Sequence, residues 1–265
     1  MYNEYWKFNL KPFENSPDPR FLYHSAEHDE AIMRLLYAIQ SSKGAALLTG
    51  EWGCGKTLLM YTIINELAGS QFNVAYLTNP RWSASELIQE ILYQLEISFN
   101  GTSRVEMLHS LNDYLFNSVR EGKHTIIIVD EAQIISDVET FEELRLLLNF
   151  QLNDRFLLTL FLVGQPELKV IIQKIPQLDQ RIAVRYHLKR FSYEDTKAYI
   201  QYRLSIAGRN EAIYTEAALM EIYKTAQGIP RVINNLCDLS LVIGFGKHLQ
   251  QIDVDTIIGI IESEK

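Results

Sequence analysis

The sequence predicts an α/β fold, in which a five-stranded and mostly parallel sheet is sandwiched by helices and followed by a small all-helical lid domain. Five short apolar segments alternate with helical segments as far as residue 190, which is the order expected of such a sheet. After Phe191 only helical patterns follow. We therefore divide the 265 residues into an α/β domain at 1–190 and a helical lid domain at 191–265.

The chain begins with a segment rich in aromatic residues and proline, up to residue 27. Because proline restricts its own φ and the residue before it, we expect an extended arm with turns. An amphipathic helix then begins near Ala26, with Ser25 as its N-cap.

The remaining elements follow from the spacing of apolar residues and from cap residues. The predicted strands are 44–49, 73–78, 125–130, 156–164 and 185–188. The predicted helices between and after them are 56–68, 83–97, 104–120, 138–153 and 166–174. The lid helices are predicted at 193–207, 215–226, 230–246 and 253–262, with Thr215 and Asp253 as caps.

Composition narrows the class of protein. The formal net charge of −8 argues against broad, non-specific binding of nucleic acid, so DNA is a partner that net charge does not favour. Cys54 and Cys237 are too few for a disulfide framework or a zinc site. We find no secretory signal at the N-terminus. We also find no direct membrane span, because the longest apolar run, 156–163, is far short of the about 20 residues that crossing a bilayer requires. We expect a cytoplasmic protein, membrane-associated only through a partner.

A glycine-rich segment follows the first predicted strand. Its sequence, GEWGCGKT, matches G-x-x-x-x-G-K-[ST] at every fixed position. The glycines let backbone N–H groups face a phosphate, Lys56 supplies charge to the β- and γ-phosphates, and Thr57 is a magnesium ligand. Cys54 occupies a variable position and is interpreted as a small filler. The predicted ATP-binding residues are Gly50, Glu51, Trp52, Gly53, Cys54, Gly55, Lys56, Thr57 and Leu58.

An acidic pair ends the β-branched segment TIIIVDE. A buried parallel strand would carry Asp130 to its carboxyl end, where ligands bind in open α/β sheets. Asp130 is therefore predicted to hold Mg²⁺ through water, and Glu131 to polarise the water that attacks the γ-phosphate.

With these residues in place, the chain resembles the AAA+ ATPases, and more closely the ExeA or GspA type associated with type II secretion. The resemblance runs nearly from end to end. It includes the aromatic N-terminus with its PF and PDP-x-F turns, and the blocks DEAQ (130–133), LVGQPEL (162–168), QRIAVRYHL (180–188) and GIPRVINNLCD (228–238).

The resemblance implies further site residues. Gln165 corresponds to the sensor-1 position, and Arg231 to the sensor-2 arginine that reports the γ-phosphate. A neighbouring subunit of a ring or helical homo-oligomer would supply an arginine finger, for which Arg181 is the first choice and Arg185 the second. Phe21, Leu22 and His28 are candidates for contacts with adenine, although packing of this segment as core is an equal alternative.

The resemblance also bounds the expected function. ExeA-type proteins carry a membrane span and a periplasmic region that have no counterpart in these residues, so the similarity covers the ATPase module. We expect an ATPase that binds Mg-ATP, hydrolyses it at subunit interfaces and acts as a molecular switch, with a secretion, export or other membrane-system protein as its partner. Two alternatives stay open. One is a DNA-associated regulator of transposition or replication, similar to TniB, TnsC and MuB. The other is a scaffold that binds nucleotide without turnover.

Overall fold

The structure is a computed structural model that describes residues 2–67, 69, 71–99 and 103–263. Its strands are β1 Ala45–Gly50, β2 Phe72–Leu77, β3 His124–Val129, β4 Leu158–Gly164 and β5 Ile182–Leu188. The helices before the lid are α1 Tyr2–Trp6, α2 Ala26–Gln40, α3 Lys56–Glu66, α4 Ala84–Gln94, α5 Arg104–Arg120, α6 Val138–Leu147, α7 Pro166–Gln173 and α8 Pro176–Asp179. The lid helices are α9 Tyr193–Ile206, α10 Glu216–Ala226, α11 Pro230–Gly246 and α12 Val254–Ser263.

Contacts group the chain into two compact units, each discontinuous in sequence. The sheet unit consists of residues 29–50 and 62–188, and the lid unit of residues up to 28, 51–61 and those from 189 onward. The lid unit thus takes in the N-terminal segment and the glycine-rich loop. The predicted division into 1–190 and 191–265 stays a prediction about domains.

The sheet unit contains all five strands, in the order β2-β3-β4-β1-β5. Every pairing between them is parallel, which confirms the predicted α/β class. Strands β1 and β4 are buried along their whole length, because the sheet is covered on both faces. Edge strand β5 alternates buried and exposed residues, as a half-covered strand does.

The core of the sheet unit lies between the strands and the helices α4 to α7. Fully buried residues from these elements include Leu47, Leu87, Leu111, Leu144, Leu160 and Leu168. This packing holds the carboxyl ends of β3, β4 and β1 side by side, with Thr49 opposite Gly164 and Val129 opposite Leu162. Residues that immediately follow these strands therefore start from one edge of the sheet.

The lid unit has its own core of aromatic and aliphatic side chains. Trp6 of α1 is 1% exposed, and its indole N–H donates to the carbonyl of Leu241 in α11 at 2.9 Å. The expectation of an extended arm is therefore wrong for residues 2–6, which form a helical turn. Burial against α11 favours this turn, and the proline-rich sequence that follows gave no indication of it. Thr215 and Asp253 cap α10 and α12 as predicted.

Several element ends differ from the predictions by a few residues. Helix α6 ends at Leu147 instead of 153, because Gln151 pairs with Phe156 in an antiparallel bridge that turns the chain into β4. Strand β5 begins at Ile182, three residues before the weak apolar segment at 185–188. The predicted end of α3, at residue 68, lies outside the described residues, as do residues 264 and 265.

Among the described residues, we find no helix with the length and apolar character that crossing a bilayer requires.

Gly244 and Gly246 in α11 provide a matched test of the lid-unit core. A Cβ at Gly244 would lie 2.8 Å from the Trp6 ring and 2.5 Å from Ile252, whereas a Cβ at Gly246 would meet nothing within 4 Å. Gly244→Ala should lower the free energy of unfolding by about 1–3 kcal/mol through overpacking. Gly246→Ala should change it by no more than about 0.5 kcal/mol. Urea unfolding followed by circular dichroism measures both, and equal stability of the two variants would contradict this packing.

Candidate functional site

The glycine-rich loop has the backbone of a phosphate cradle. It occupies residues 51–55, between the end of β1 at Gly50 and the start of α3 at Lys56. Gly53 and Gly55 have φ angles of 79° and 95°, in the left-handed region that side chains other than glycine rarely adopt. Successive backbone N–H groups in such turns form a concave site for anions, and the N-terminus of a helix adds its positive dipole end.

Lys56 lies buried at the start of α3. It is 5% exposed, and its Nζ donates to the carbonyl of Glu51 at 3.0 Å. The ammonium thus lies over the loop, where a phosphate would be a stronger partner than a neutral carbonyl. Thr57 and Leu58 follow in the first turn and are half-buried. Burial raises the pKa of the Cys54 thiol, which supports its interpretation as a filler and not a nucleophile.

Arg231 contacts the same loop within the lid unit. Its backbone N–H donates to the carbonyl of Gly53 at 3.2 Å, and its guanidinium carbon lies 4.6 Å from the centre of the Trp52 ring. A Cβ at Gly53 would lie 2.9 Å from the Cβ of Arg231, so this approach depends on glycine. Arg190 adds an ion pair to Glu51 at 3.6 Å. The start of α11 is therefore held against the glycine-rich loop.

The candidates for adenine contacts occupy buried positions. His28 is 3% exposed, and its Nδ1 shares a hydrogen bond with the Ser25 hydroxyl at 2.8 Å. Its Nε2 lies 3.5 Å from the position that a Cβ of Gly55 would occupy. Phe21 is buried with its ring 4.5 Å from the guanidinium carbon of Arg203, and Leu22 is 2% exposed. His28 thus lies beside the loop, whereas Phe21 packs within the lid unit. Their contact with adenine stays a prediction.

The acidic pair follows β3 directly, in the sheet unit. Asp130 is 4% exposed and accepts hydrogen bonds from the Tyr76 hydroxyl at 2.7 Å and from the Glu131 N–H at 2.9 Å. These two donors hold the carboxylate in one direction. Glu131 is half-buried, and its φ of 53° places it in the left-handed region. Six other described residues that are not glycine also have a positive φ, so this conformation sets where the Glu131 side chain starts and does not by itself identify a functional position.

The backbone of Gln165 is connected to the carboxylate of Glu131 through the side chain of Gln133. The Nε2 of Gln133 donates to the Glu131 carboxylate, and its Oε1 accepts from the Gln165 N–H at 3.0 Å. Gln165 itself is the residue before α7, directly after β4. The structure therefore brings Asp130, Glu131 and the backbone N–H of Gln165 into one hydrogen-bonded group.

Both candidate finger arginines make contacts within the sheet unit. Arg181 donates to the carbonyl of Leu148 at 2.9 Å and to the side chain of Asn149 at 2.8 Å, at the end of α6. Arg185, on the exposed face of edge strand β5, pairs with Asp179 at 2.9 Å. Because both arginines have partners within the sheet unit, the predicted finger role and the choice between them stay predictions.

Residues of each unit suit a part of a magnesium nucleotide, and binding of the metal stays a prediction. Mg²⁺ prefers oxygen ligands and keeps several waters; the Thr57 hydroxyl in the lid unit and the Asp130 carboxylate in the sheet unit are each donors of that kind. The positive-φ glycines and buried Lys56 suit the phosphates. Sequence reasoning missed the roles of Tyr76, Gln133 and the stacking of Trp52 on Arg231. Gln133 and Trp52 each lie in a quoted segment, DEAQ and GEWGCGKT, whereas no motif pointed to Tyr76.

Comparison with known proteins supports the same interpretation. The AAA domain family matches residues 39–172. General secretion pathway protein A of Aeromonas hydrophila is 35% identical over 255 residues, which are 95% of this chain and 46% of that protein. The chain therefore spans about half the length of this relative.

Solved structures show the same fold at low identity. The Aeropyrum pernix ORC2 protein, in ADPNP and ADP complexes, has a TM-score of 0.71 and 18% identity over 94% of this chain and 71% of its own. The Thermotoga maritima RuvB Holliday junction branch migration motor has a TM-score of 0.63 and 18% identity over 91% and 69%.

Trp52 offers a direct optical test of nucleotide at this loop. The indole is 51% exposed and stacks on Arg231, a contact worth about 0.5–1 kcal/mol at an exposed site. A triphosphate should draw the guanidinium away from the ring, because an ionic contact is stronger. We expect Mg-ATP to change the tryptophan emission of the wild type and of Arg231→Lys differently, since lysine keeps the charge but not the planar stack.

Trp52→Phe is the control for this measurement, because Trp6 and Trp82 remain in that variant. An emission change of full size in Trp52→Phe would show that the response arises elsewhere, and no change in the wild type at saturating Mg-ATP would contradict the assignment of Arg231.

Proposed function

The chain belongs to the AAA family of P-loop ATPases and is of the ExeA or GspA type, and from this premise we propose that it binds Mg-ATP, hydrolyses it to ADP and phosphate, and acts as a molecular switch. The observation that carries the proposal is the glycine-rich loop, in which two glycines with left-handed backbone directly precede the buried Lys56. ATP supplies the phosphoanhydride to be cleaved, and Mg²⁺ neutralises the charge that develops on its oxygens.

We propose one role for each residue of the site. The loop amides and Lys56 bind the β- and γ-phosphates, and Thr57 and Asp130 are ligands of the metal. The Tyr76 hydroxyl keeps Asp130 pointed in one direction. Glu131 takes a proton from the attacking water, which is general-base catalysis. Gln165 and Arg231 respond to the γ-phosphate.

We propose homo-oligomerisation with a finger arginine acting between subunits. Arg181 is the first choice and Arg185 the second, and their present partners, a helix-end carbonyl and an exposed carboxylate, are weaker than a phosphate. A finger of this kind contributes about 10³–10⁵ to the rate of hydrolysis in other P-loop proteins.

We propose that the switch acts on a protein of a secretion, export or other membrane system, and that it works in the cytoplasm. The supporting observation is the similarity to General secretion pathway protein A along nearly the whole chain. DNA is the less favoured partner. Lys189 pairs with Glu27 at 2.8 Å, and Arg190 with Glu51, so these cations face acidic partners instead of forming an open basic surface.

Two variants separate nucleotide binding from hydrolysis. Lys56→Ala should abolish ATP binding, because it removes the charge that the loop holds for the phosphates. Glu131→Gln should keep binding while lowering turnover by about 10²-fold or more, the usual contribution of a general base. Equilibrium binding of a fluorescent ATP analogue and steady-state phosphate release measure the two properties. Turnover of Glu131→Gln at the wild-type rate would remove Glu131 from the mechanism.

Mixing two inactive variants tests the finger. Arg181→Ala keeps the phosphate loop and Glu131, and Glu131→Gln keeps the arginine, so oligomers of both contain some complete sites if the arginine acts between subunits. We expect both variants to be nearly inactive alone, with the turnover of Arg181→Ala lowered by about 10³-fold or more. The mixture should recover turnover.

The mixing experiment has two controls. Arg185→Ala treated identically decides between the two arginines, and thermal unfolding of Arg181→Ala checks that the lost contact with Leu148 has not unfolded the protein.

Turnover per subunit of the wild type should rise with protein concentration and should not change when duplex DNA is added. A mixture no more active than its components would exclude Arg181, and strong stimulation by DNA would transfer support to the DNA-associated alternative.

A further inference from the structure

Gln133 lies in the short helical turn Ala132–Ile134, immediately after the acidic pair. Its Nε2 donates to the Glu131 carboxylate, while its Oε1 accepts from the backbone N–H of Gln165 at 3.0 Å. A backbone N–H can only donate and an ionised carboxylate can only accept, so the two ends of the amide are assigned without ambiguity. The side chain therefore bridges the residue after β3 to the residue after β4 in a single orientation.

Gly164 provides the room for this bridge. It is the last residue of β4, and a Cβ there would lie 2.4 Å from Oε1 of Gln133 and 2.8 Å from Cδ2 of Leu168. Any side chain at this position would displace the amide. The bridge is thus built from two matched features, a long amide at 133 and a missing side chain at 164.

The backbone of Glu131 restricts its carboxylate as well. With φ 53° and ψ 36°, the residue lies in the left-handed region, which glutamate rarely adopts. The Asp130 carboxylate accepts the Glu131 N–H, which supports this conformation. Two independent restraints, one on the backbone and one on the carboxylate, therefore act on the same residue, as expected where a group must be oriented for a reaction.

We propose that Gln133 is a positioning residue for hydrolysis, which holds the Glu131 carboxylate and ties its orientation to the backbone of Gln165. The inference rests on the proposed function, because the orientation of Glu131 matters only if that carboxylate activates water. Gln133 acts through Glu131 and not on the reactants. A displacement of the chain at Gln165 is transmitted to the carboxylate, so the residue that responds to the γ-phosphate and the residue that activates water move together.

Two substitutions at 133 separate positioning from a merely structural role. Gln133→Glu keeps an oxygen for the Gln165 N–H but replaces the donor that faces Glu131 with a like charge. Gln133→Met keeps the length and loses both hydrogen bonds. We expect both to lower kcat by about 10²-fold, the cost of misplacing a catalytic group, with KM for ATP changed by no more than about twofold, because ground-state binding is untouched. A merely structural bridge would leave kcat of Gln133→Glu intact and lower only the stability of Gln133→Met, and that outcome overturns the inference.

Gly164→Ala tests the same bridge from the opposite side. The new methyl group would displace the Gln133 amide, so we expect Gly164→Ala to lower kcat by about 10²-fold. Gln133→Ala, which removes the amide altogether, should lower kcat equally, and the double variant should lose no more than either single variant. Gly246→Ala, whose new methyl group meets nothing within 4 Å, is the matched control for a glycine-to-alanine change. Losses that multiply in the double variant would show that the two residues act independently, contrary to the inference.

A readout without turnover keeps the two proposals distinguishable. The side-chain amide resonance of Gln133, assigned by its disappearance in Gln133→Met, should shift when Glu131→Gln removes the charge that it faces. If the wild type hydrolyses no ATP, the proposed function fails, and this resonance still decides whether Gln133 holds Glu131. If the wild type is active but the resonance is unmoved and Gln133→Glu keeps full kcat, the positioning role fails and the proposed function stands.

Discussion

The parallel alignment of β1, β4 and β3 is the constraint on which the remainder of the sheet unit depends. Parallel strands end at a common edge, and here Thr49 lies opposite Gly164 and Val129 opposite Leu162. Strand β1 ends at Gly50, and Asp130 and Gln165 immediately follow β3 and β4. Close packing on both faces enforces the alignment, because a shift by one residue would exchange the side chains that pack against the helices of the two faces and leave gaps and clashes in the core. Chemistry at this edge is therefore a consequence of core packing.

Within the lid unit, a second constraint acts through the absence of a side chain. Gly53 allows the start of α11 to approach the glycine-rich loop closely, and the Arg231 N–H donates a hydrogen bond to the carbonyl of Gly53. The same approach stacks the guanidinium on Trp52. One backbone position thus serves two purposes, because it shapes the loop for a phosphate and brings the lid arginine to it. The N-terminal segment shares this core through Trp6, so it is a structural part of the lid unit.

The two carboxylates that follow β3 are held by different means. Asp130 is buried and accepts from a tyrosine and a backbone N–H, which suits a residue that keeps one direction towards a metal. Glu131 is half-buried, has left-handed backbone and is held by an amide that is itself bonded to the next strand. Its support thus comes from the end of β4, whereas that of Asp130 comes from Tyr76 of β2 and from a neighbouring backbone N–H.

The sequence alone determined the alternation of strands and helices, the glycine-rich loop with Lys56 and Thr57, the acidic pair and the AAA+ resemblance, because each depends on residues close together in the chain. Helix α5 was predicted at its observed bounds, since a single amphipathic period runs through it. The tertiary structure alone decided that Tyr76 supports Asp130, that Arg231 stacks on Trp52 and that Gln133 meets the end of β4. These contacts depend on strand order and on the packing of the lid helices, and local periodicity carries no information about either. The helical turn at 2–6 was missed for the same reason, because its stability comes from burial of Trp6 against a helix more than 200 residues further along the chain.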